Sequence, residues 1–179
     1  MQDRYVGDVN DFFKYAVLRR LADLGDKRLG VNWYWTDPEV VDHGNQQDDG
    51  GNIEYLTNGN NWRQQFDEPL FQNLQALLVV NGVVDEELRT VANIEASGIL
   101  PDNTLFRIAE VPEEINDREH WHNDAMGAMD DAELVFLDPD NSVREIYQEA
   151  IHRREKYATP EEVIDYLGGR SLLYISFPP

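Results

Sequence analysis

The segment from Leu134 to Asn141 places the tightest constraint on the fold of this chain. Its first four residues are all apolar, and the sequence Asp138-Pro-Asp-Asn follows them directly. A short run that is apolar throughout is typical of a strand buried on both faces, as in a parallel sheet covered by helices. We therefore predict a buried strand that ends at a proline-stiffened turn carrying two carboxylates.

Helical and strand patterns alternate along the rest of the chain. Apolar spacing predicts helices at 9–24, 68–80, 85–96, 118–129 and 143–156, and a cap signal at Thr159 predicts one more short helix. Asp8 is the predicted N-cap of the first helix and Gly25 its stop. Runs of β-prone residues predict strands at 31–36, 105–109 and 172–177. This alternation predicts an α/β fold, and 179 residues are about one domain, spanning 1–179.

The composition excludes several classes of protein. The chain has no cysteine, so disulfides and thiolate metal sites are excluded. The first residues lack the pattern of a signal peptide, and no apolar run approaches the roughly 18 residues of a membrane helix. We therefore expect a cytoplasmic protein that does not enter a membrane.

Charge is distributed unevenly along the chain. Residues 31–142 hold four Arg against 24 acidic residues, which accounts for the whole net charge of −20. Because Lys and Arg supply most nonspecific affinity for phosphate backbones, this composition disfavours direct binding of duplex nucleic acid. The acidic face is a solubility surface, a mimic of nucleic acid or a docking surface for a basic protein.

Two short segments resemble known proteins. Gly7-Asp-Val-Asn-Asp11-Phe-Phe-Lys14-Tyr15 opens a predicted helix, and Leu137-Asp-Pro ends a later strand. This layout resembles class I S-adenosylmethionine-dependent methyltransferases. In particular, it resembles the ribosomal RNA adenine-N6 methyltransferases, which open with a Gly-x-x-x-Asp-x-x-Lys-His helix and carry an Asp-Pro-Pro-Tyr motif. It is also similar to bacterial and phage proteins with a Gly-Asp-x-x-Asp-Phe-x-Lys-Tyr opening and an Asp-Pro-Asp-Asn motif.

The resemblance implies a Rossmann-like three-layer sandwich with a mostly parallel sheet. The sequence stops at Pro179, soon after the last predicted strand. We therefore expect either a fold that lacks the C-terminal strands of longer relatives, or a homodimer in which a second subunit covers the last strand.

The resemblance also implies a site at the carboxyl edge of the sheet, for a small-molecule or nucleotide ligand. Asp138 corresponds to the catalytic aspartate and Lys14 to the motif lysine, and Asp140 and Asn141 complete the predicted catalytic set. The cofactor implied is S-adenosylmethionine, and the predicted cofactor-binding residues are Asp11, Tyr15, Asp37, His43 and Asp48.

This chain departs from the methyltransferase pattern in two places. Thr36-Asp-Pro-Glu follows the first strand where those enzymes have a glycine-rich turn. Asp140 and Asn141 replace the second proline and the aromatic ring of Asp-Pro-Pro-Tyr, so stacking on a flipped base is lost at that position.

Three functional classes remain open. The first is a methyltransferase-like enzyme or cofactor binder. The second is a Mg²⁺-dependent hydrolase or nuclease, in which Asp138, Asp140 and either Asp48 or Asp49 are the oxygen ligands. The third is a noncatalytic interaction or inhibitor protein, phage or defence related, that presents an acidic face to its partner. We predict no histidine metal site, because His120 and His122 lie at i and i+2 of a helix and point to different faces.

Overall fold

The computed structural model describes residues 1–37, 50–58, 62–147 and 153–175. Within these ranges the helices are α1 (Val9–Gly25), α2 (Trp62–Phe66), α3 (Glu68–Leu78), α4 (Val91–Ala96), α5 (Ile115–Ala128) and α6 (Pro160–Tyr166). The strands are β1 (Leu29–Asn32), β2 (Val79–Val80), β3 (Val83–Val84), β4 (Leu105–Arg107), β5 (Leu134–Leu137) and β6 (Ser171–Tyr174). No described helix has the length and apolar character needed to span a bilayer.

Four strands form one parallel sheet in the order β4-β1-β5-β6. The chain therefore goes from β1 to β4 on one side and then crosses to β5 on the other side of β1. The protein is an α/β fold that is compatible with a Rossmann-like topology, as the alternation of patterns predicted. In such sheets a crevice opens at the carboxyl ends of the two strands where the order reverses, here β1 and β5.

The central strand β5 is buried on both faces, as its uniformly apolar sequence predicted. Leu134 and Phe136 join the hydrophobic cluster on the α1 side of the sheet, whereas Val135 and Leu137 join the cluster on the α5 side. Alternate residues point to opposite faces of a strand, so an apolar residue is needed at every position. The helices thus cover both faces of the sheet.

Helix α1 begins as the sequence predicted. The Asp8 side chain is its N-cap and accepts from the backbone N–H groups of Asn10 at 2.7 Å and Asp11 at 3.0 Å. The helix includes Gly25 and ends at Asp26, which adopts the left-handed conformation with φ of 47°. Its buried face packs on the sheet, and its first two turns lie at the carboxyl edge of the sheet.

The predictions of helices at 68–80 and 85–96 are wrong at residues 79–80 and 85–90. Helix α3 stops at Leu78, and β2 and β3 form an antiparallel hairpin. Asn81 and Gly82 make the turn with positive φ values of 52° and 82°. Asn-Gly between short apolar runs is a strong signal for such a hairpin, because both residues tolerate this backbone conformation. Helix α4 begins only at Val91, where the Thr90 side chain caps it.

The helix predicted at 143–156 is also wrong in its described part, and residues 148–152 lie outside the described ranges. Val143 and Ala158 instead form a parallel β-bridge, and the backbone N–H of Asn141 donates to the carbonyl of Lys156 at 2.8 Å. These contacts draw Lys156 to the turn after β5. Smaller differences are that β1 ends at Asn32, four residues before the predicted end, and that β6 ends at Tyr174.

Candidate functional site

A cleft of about 280 Å³ lies at the carboxyl edge of the sheet, between the start of α1 and the turn after β5. Four acidic side chains and two lysines line it: Asp8, Asp11, Lys14, Asp138, Asp140 and Lys156. Tyr5, Asn10 and Asn141 also contribute to its wall. Because β1 and β5 are the strands at which the sheet order reverses, the cleft occupies the position where open α/β sheets bind ligands.

Lys14 joins the two segments that form the cleft. Its ammonium Nζ lies 2.9 Å from Asp138 Oδ1 and 3.2 Å from Asp11 Oδ1. The i,i+3 spacing of Asp11 and Lys14 puts both on the same face of α1. Burial lowers the pKa of Lys14, but the nearby carboxylates of Asp138 and Asp11 outweigh it, and the net pKa is above its usual value. Lys14 is therefore a fixed positive charge between two carboxylates.

Asp11 is fully buried beneath the cleft. Its Oδ2 accepts from the hydroxyl of Tyr15 at 3.0 Å. Burial raises the pKa of Asp11 to about 7, with the charges of Asp8 and Asp138 adding to the rise and Lys14 opposing it. Burial and the charge of Asp11 also hold the pKa of Tyr15 well above its usual range. Tyr15 is therefore a neutral donor that orients the Asp11 carboxyl group.

Asp140 is held from two sides. Its Oδ2 accepts from Gln2 Nε2 at 2.6 Å and lies 2.9 Å from Lys156 Nζ. The amino group of Met1 lies 3.9 Å from Asp140 Oδ1 and donates to the carbonyl oxygen of Asp138 at 3.0 Å. Burial lowers the pKa of this amino group. The turn after β5 is thus fixed by the first two residues and by Lys156.

Three buried carboxylate oxygens at the cleft have no hydrogen-bond donor among the described residues. They are Asp11 Oδ1, Asp138 Oδ2 and Asp140 Oδ1. Asp11 Oδ1 nevertheless has a charged partner, because Lys14 Nζ lies 3.2 Å from it. Buried polar atoms in native proteins nearly always have a partner. These oxygens are thus buried acceptors with unused hydrogen-bonding capacity in the part of the chain that the structure describes.

The structure brings together most of the residues that the sequence singled out. Asp11, Lys14, Asp138, Asp140 and Asn141 line one cleft, although 124 residues separate Lys14 from Asp138. Two predicted cofactor-binding residues do not line it. Tyr15 lies behind the wall and bonds Asp11, and Asp37 is not among the lining residues. His43 and Asp48, with the neighbouring Asp49, lie outside the described residues.

Sequence reasoning missed Lys156, Gln2 and Tyr5. Lys156 belongs to no motif, and it was only the last residue of the helix wrongly predicted at 143–156. The two histidines do not form a pair, because His122 is buried against Asp165 at 3.0 Å whereas His120 is exposed. In the described ranges, no group of three or more histidine or acidic side chains is arranged to hold a metal ion.

Comparisons with known proteins identify no relative of this chain. No protein-family model, curated protein or solved structure matches the chain. Function must therefore be argued from the cleft itself.

Proposed function

We propose that this chain is a methyltransferase-like protein that binds S-adenosylmethionine in the cleft at the carboxyl edge of its sheet. The observation that carries the proposal is the contact of Lys14 with both Asp138 and Asp11. This contact unites the two segments whose sequences resemble adenine-N6 methyltransferases, at the switch point of a parallel sheet. Neither segment alone is specific enough to indicate a methyltransferase.

The polar groups of the cleft suit such a cofactor. S-adenosylmethionine carries an ammonium group, ribose hydroxyls and a sulfonium cation, and it supplies an electrophilic methyl group when bound. Asp8, Asp11, Asp138 and Asp140 line the cleft, and this acidic lining favours a positive charge. Tyr5 contributes an aromatic side chain to the wall, and an adenine would pack against it.

Asp138 has the geometry of an acceptor for a substrate amine. Its Oδ1 is engaged by Lys14, and its Oδ2 is buried and lacks a donor. On binding, the Asp138 side chain would turn Oδ2 toward the cleft, and an N–H of the substrate would donate to it and thereby be oriented for attack on the methyl group. Lys14 would hold the carboxylate in place and balance its charge. The Asp138–Pro139 turn would supply the rigidity that this positioning needs.

A Mg²⁺ ion is the second candidate ligand, because the carboxylates of Asp138 and Asp140 line the same cleft. Each of these carboxylates, however, already has a lysine on one oxygen, at 2.9 Å in both cases. The lysines reduce the charge available to a divalent cation. The adenosyl ligand is therefore the better match.

Calorimetric titration with S-adenosylmethionine, S-adenosylhomocysteine and Mg²⁺ tests this proposal. We expect micromolar binding of the adenosyl ligands by the parent protein and a loss of at least about tenfold in Asp138→Asn. Asp23→Asn is the matched control, because Asp23 is an exposed aspartate on the same helix as Lys14, outside the cleft, with its side chain 77% exposed. Heat from Mg²⁺ alone would support the hydrolase class. Silence from all three ligands would contradict the proposal and favour a noncatalytic acidic protein.

A further inference from the structure

We propose that two copies of this chain associate through an apolar surface formed by α1 and α2. This surface, the α1–α2 patch, consists of Phe13, Val17, Leu21 and Leu24 of α1 and Trp62 and Phe66 of α2. None of these residues lines the cleft at the carboxyl edge of the sheet. The inference is therefore independent of the proposed function.

Helix α1 carries apolar side chains on two of its sides. One side includes Phe12 and Leu18 and is buried in the hydrophobic cluster that contains β1 and β5 residues. The other is the α1 part of the patch, whose residues recur every three or four positions and therefore share one side of the helix. Leu24 is 66% exposed there, and Val17 and Leu21 are each more than a third exposed. A surface helix normally has polar residues on its outer side, so this second apolar side indicates a further contact.

Helix α2 extends the apolar side of α1. Trp62 and Phe66 lie one turn apart, and their ring centroids are 5.5 and 6.3 Å from that of Phe13. Despite these contacts, Trp62 is 52% exposed and Phe66 is 61% exposed. A groove of about 360 Å³ lies between Phe66 and the Val17 and Leu21 side chains of α1. Exposed aromatic rings beside an apolar groove are typical of protein–protein interfaces.

The area of the patch is sufficient for a reversible dimer. Fully accessible side chains of this size present roughly 200 Å² each, and five residues of the patch are between 38% and 66% exposed. The patch therefore presents roughly 500 Å² of apolar surface in each copy. Two copies would together bury roughly 1,000 Å², close to the lower limit for a specific interface, before the polar atoms at the border are counted.

Charge favours a second copy over a basic protein as the occupant of the patch. Two ion pairs lie beside the groove: Arg20 with Asp23 at 3.3 Å, and Arg19 with Asp67 at 3.5 Å. Arg63, which stacks on a ring of the patch at 4.8 Å, adds one positive charge. The border is thus slightly positive in a chain of net charge −20. Such a border complements an acidic copy of the same chain, whereas a basic partner would prefer the acidic surface elsewhere.

A two-fold dimer uses the same surface of both copies, so that surface must be complementary to itself. The α1–α2 patch meets this requirement because it has a groove and, next to the groove, exposed side chains that can enter the groove of the other copy. Its border likewise carries both signs of charge.

The charge outside the patch determines how the dimer responds to salt. Two copies of net charge −20 repel each other, and salt screens this repulsion, since the Debye length falls from about 10 Å at 0.1 M to about 3 Å at 1 M. Burial of apolar surface does not depend on unscreened charge. Association is therefore expected to strengthen as the salt concentration rises, whereas an interface held by ion pairs would weaken.

Sedimentation equilibrium of the whole chain tests the inference. We expect a monomer–dimer equilibrium with a dissociation constant between about 1 and about 100 μM at about 0.1 M NaCl. The dissociation constant is expected to fall at least about threefold at about 0.5 M NaCl.

Two variants on different helices locate the contact. Leu24→Glu and Phe66→Glu each place a charge in the patch, and each is expected to weaken the dimer at least about tenfold. Both side chains are mostly exposed, so the melting temperature of the monomer is expected to change little. Ile164→Glu is the matched control, because Ile164 is 63% exposed and lies on α6, which packs on the opposite face of the sheet. This control adds the same charge and is expected to retain the dimer.

Three results would overturn the inference. The first is a parent protein that stays monomeric at about 200 μM. The second is a dimer that both patch variants retain, which would place the contact elsewhere, such as at the edge strand β6. The third is an equal loss in all three variants, which would reduce the effect to net charge. Titration of the parent with S-adenosylmethionine tests the cleft separately: a dimer that depends on the patch, together with silence from the adenosyl ligand, would contradict only the methyltransferase proposal.

Discussion

Replacing Lys14 with methionine tests the central feature of the cleft. Methionine has a similar length and is a good helix former, so the helix is retained while the charge is removed. Lys14 is buried, with its ammonium 2.9 Å from Asp138 and 3.2 Å from Asp11. Its removal leaves two buried carboxylates without the cation that balances them.

The expected loss in the free energy of unfolding is large because the two carboxylates are buried. Breaking a buried ion pair by removing one partner costs about 3–5 kcal/mol. For a domain of this size each 1 kcal/mol corresponds to about 2–4 °C, so the melting temperature is expected to fall by about 10 °C. Part of the loss is expected to be recovered at acidic pH, where Asp11 becomes protonated more readily.

Urea unfolding at pH 7 measures this free energy. Arg20→Met is the control, because Arg20 makes an exposed i,i+3 pair with Asp23 on the same helix and is expected to contribute less than about 0.5 kcal/mol. The double variant Lys14→Met with Asp138→Asn is expected to be less destabilised than the sum of its parts, since it removes one uncompensated charge. Strict additivity, or a loss below about 1 kcal/mol for Lys14→Met, would refute the buried network.

Three further substitutions test other parts of the structure. The pKa of Asp11 is 3.8 in the unfolded chain and about 7 in the folded protein, so between these pH values the folded state binds more protons and its free energy of unfolding falls as pH rises. The parent protein is therefore expected to lose stability relative to Asp11→Asn between pH 5 and pH 8, as measured by urea unfolding. Arg118→Met leaves buried Glu162 without its bidentate partner at 2.5 and 2.9 Å and is expected to cost about 3 kcal/mol by thermal unfolding. Gly30→Ala would place a Cβ 2.8 Å from that of Ala132 and is expected to cost about 1–3 kcal/mol; an unchanged melting temperature would contradict this close packing.

The acidic middle of the chain bears on the choice of ligand. Its excess of carboxylates continues into the cleft, where Asp138 and Asp140 belong to the same segment of the sequence. These carboxylates, like those elsewhere in the segment, disfavour a polyanionic partner such as duplex nucleic acid. A basic protein partner and a homodimer joined at the last strand stay predictions from the sequence.

Local sequence determined the elements whose signals lie within a few residues. The uniformly apolar run of β5 requires burial on both faces, and Asp8 caps α1 because its side chain reaches the nearest free N–H groups. The Thr159 cap signal likewise produced α6 with a complete capping box. Such signals depend on backbone geometry over one or two turns, so they can be read from a single sequence. The Asn81-Gly82 turn is also a local signal, although the strand residues 79–80 before it were predicted as the end of a helix.

Tertiary structure alone decided which of these residues meet. Asp11 and Lys14 share a helix face by sequence spacing, but their contact with Asp138 depends on the parallel order of β1 and β5. Lys156 reaches Asp140 only because the backbone at Val143 pairs with Ala158 instead of forming a helix. Contacts between residues far apart in the chain depend on the packing of the whole sheet, and no local propensity encodes them.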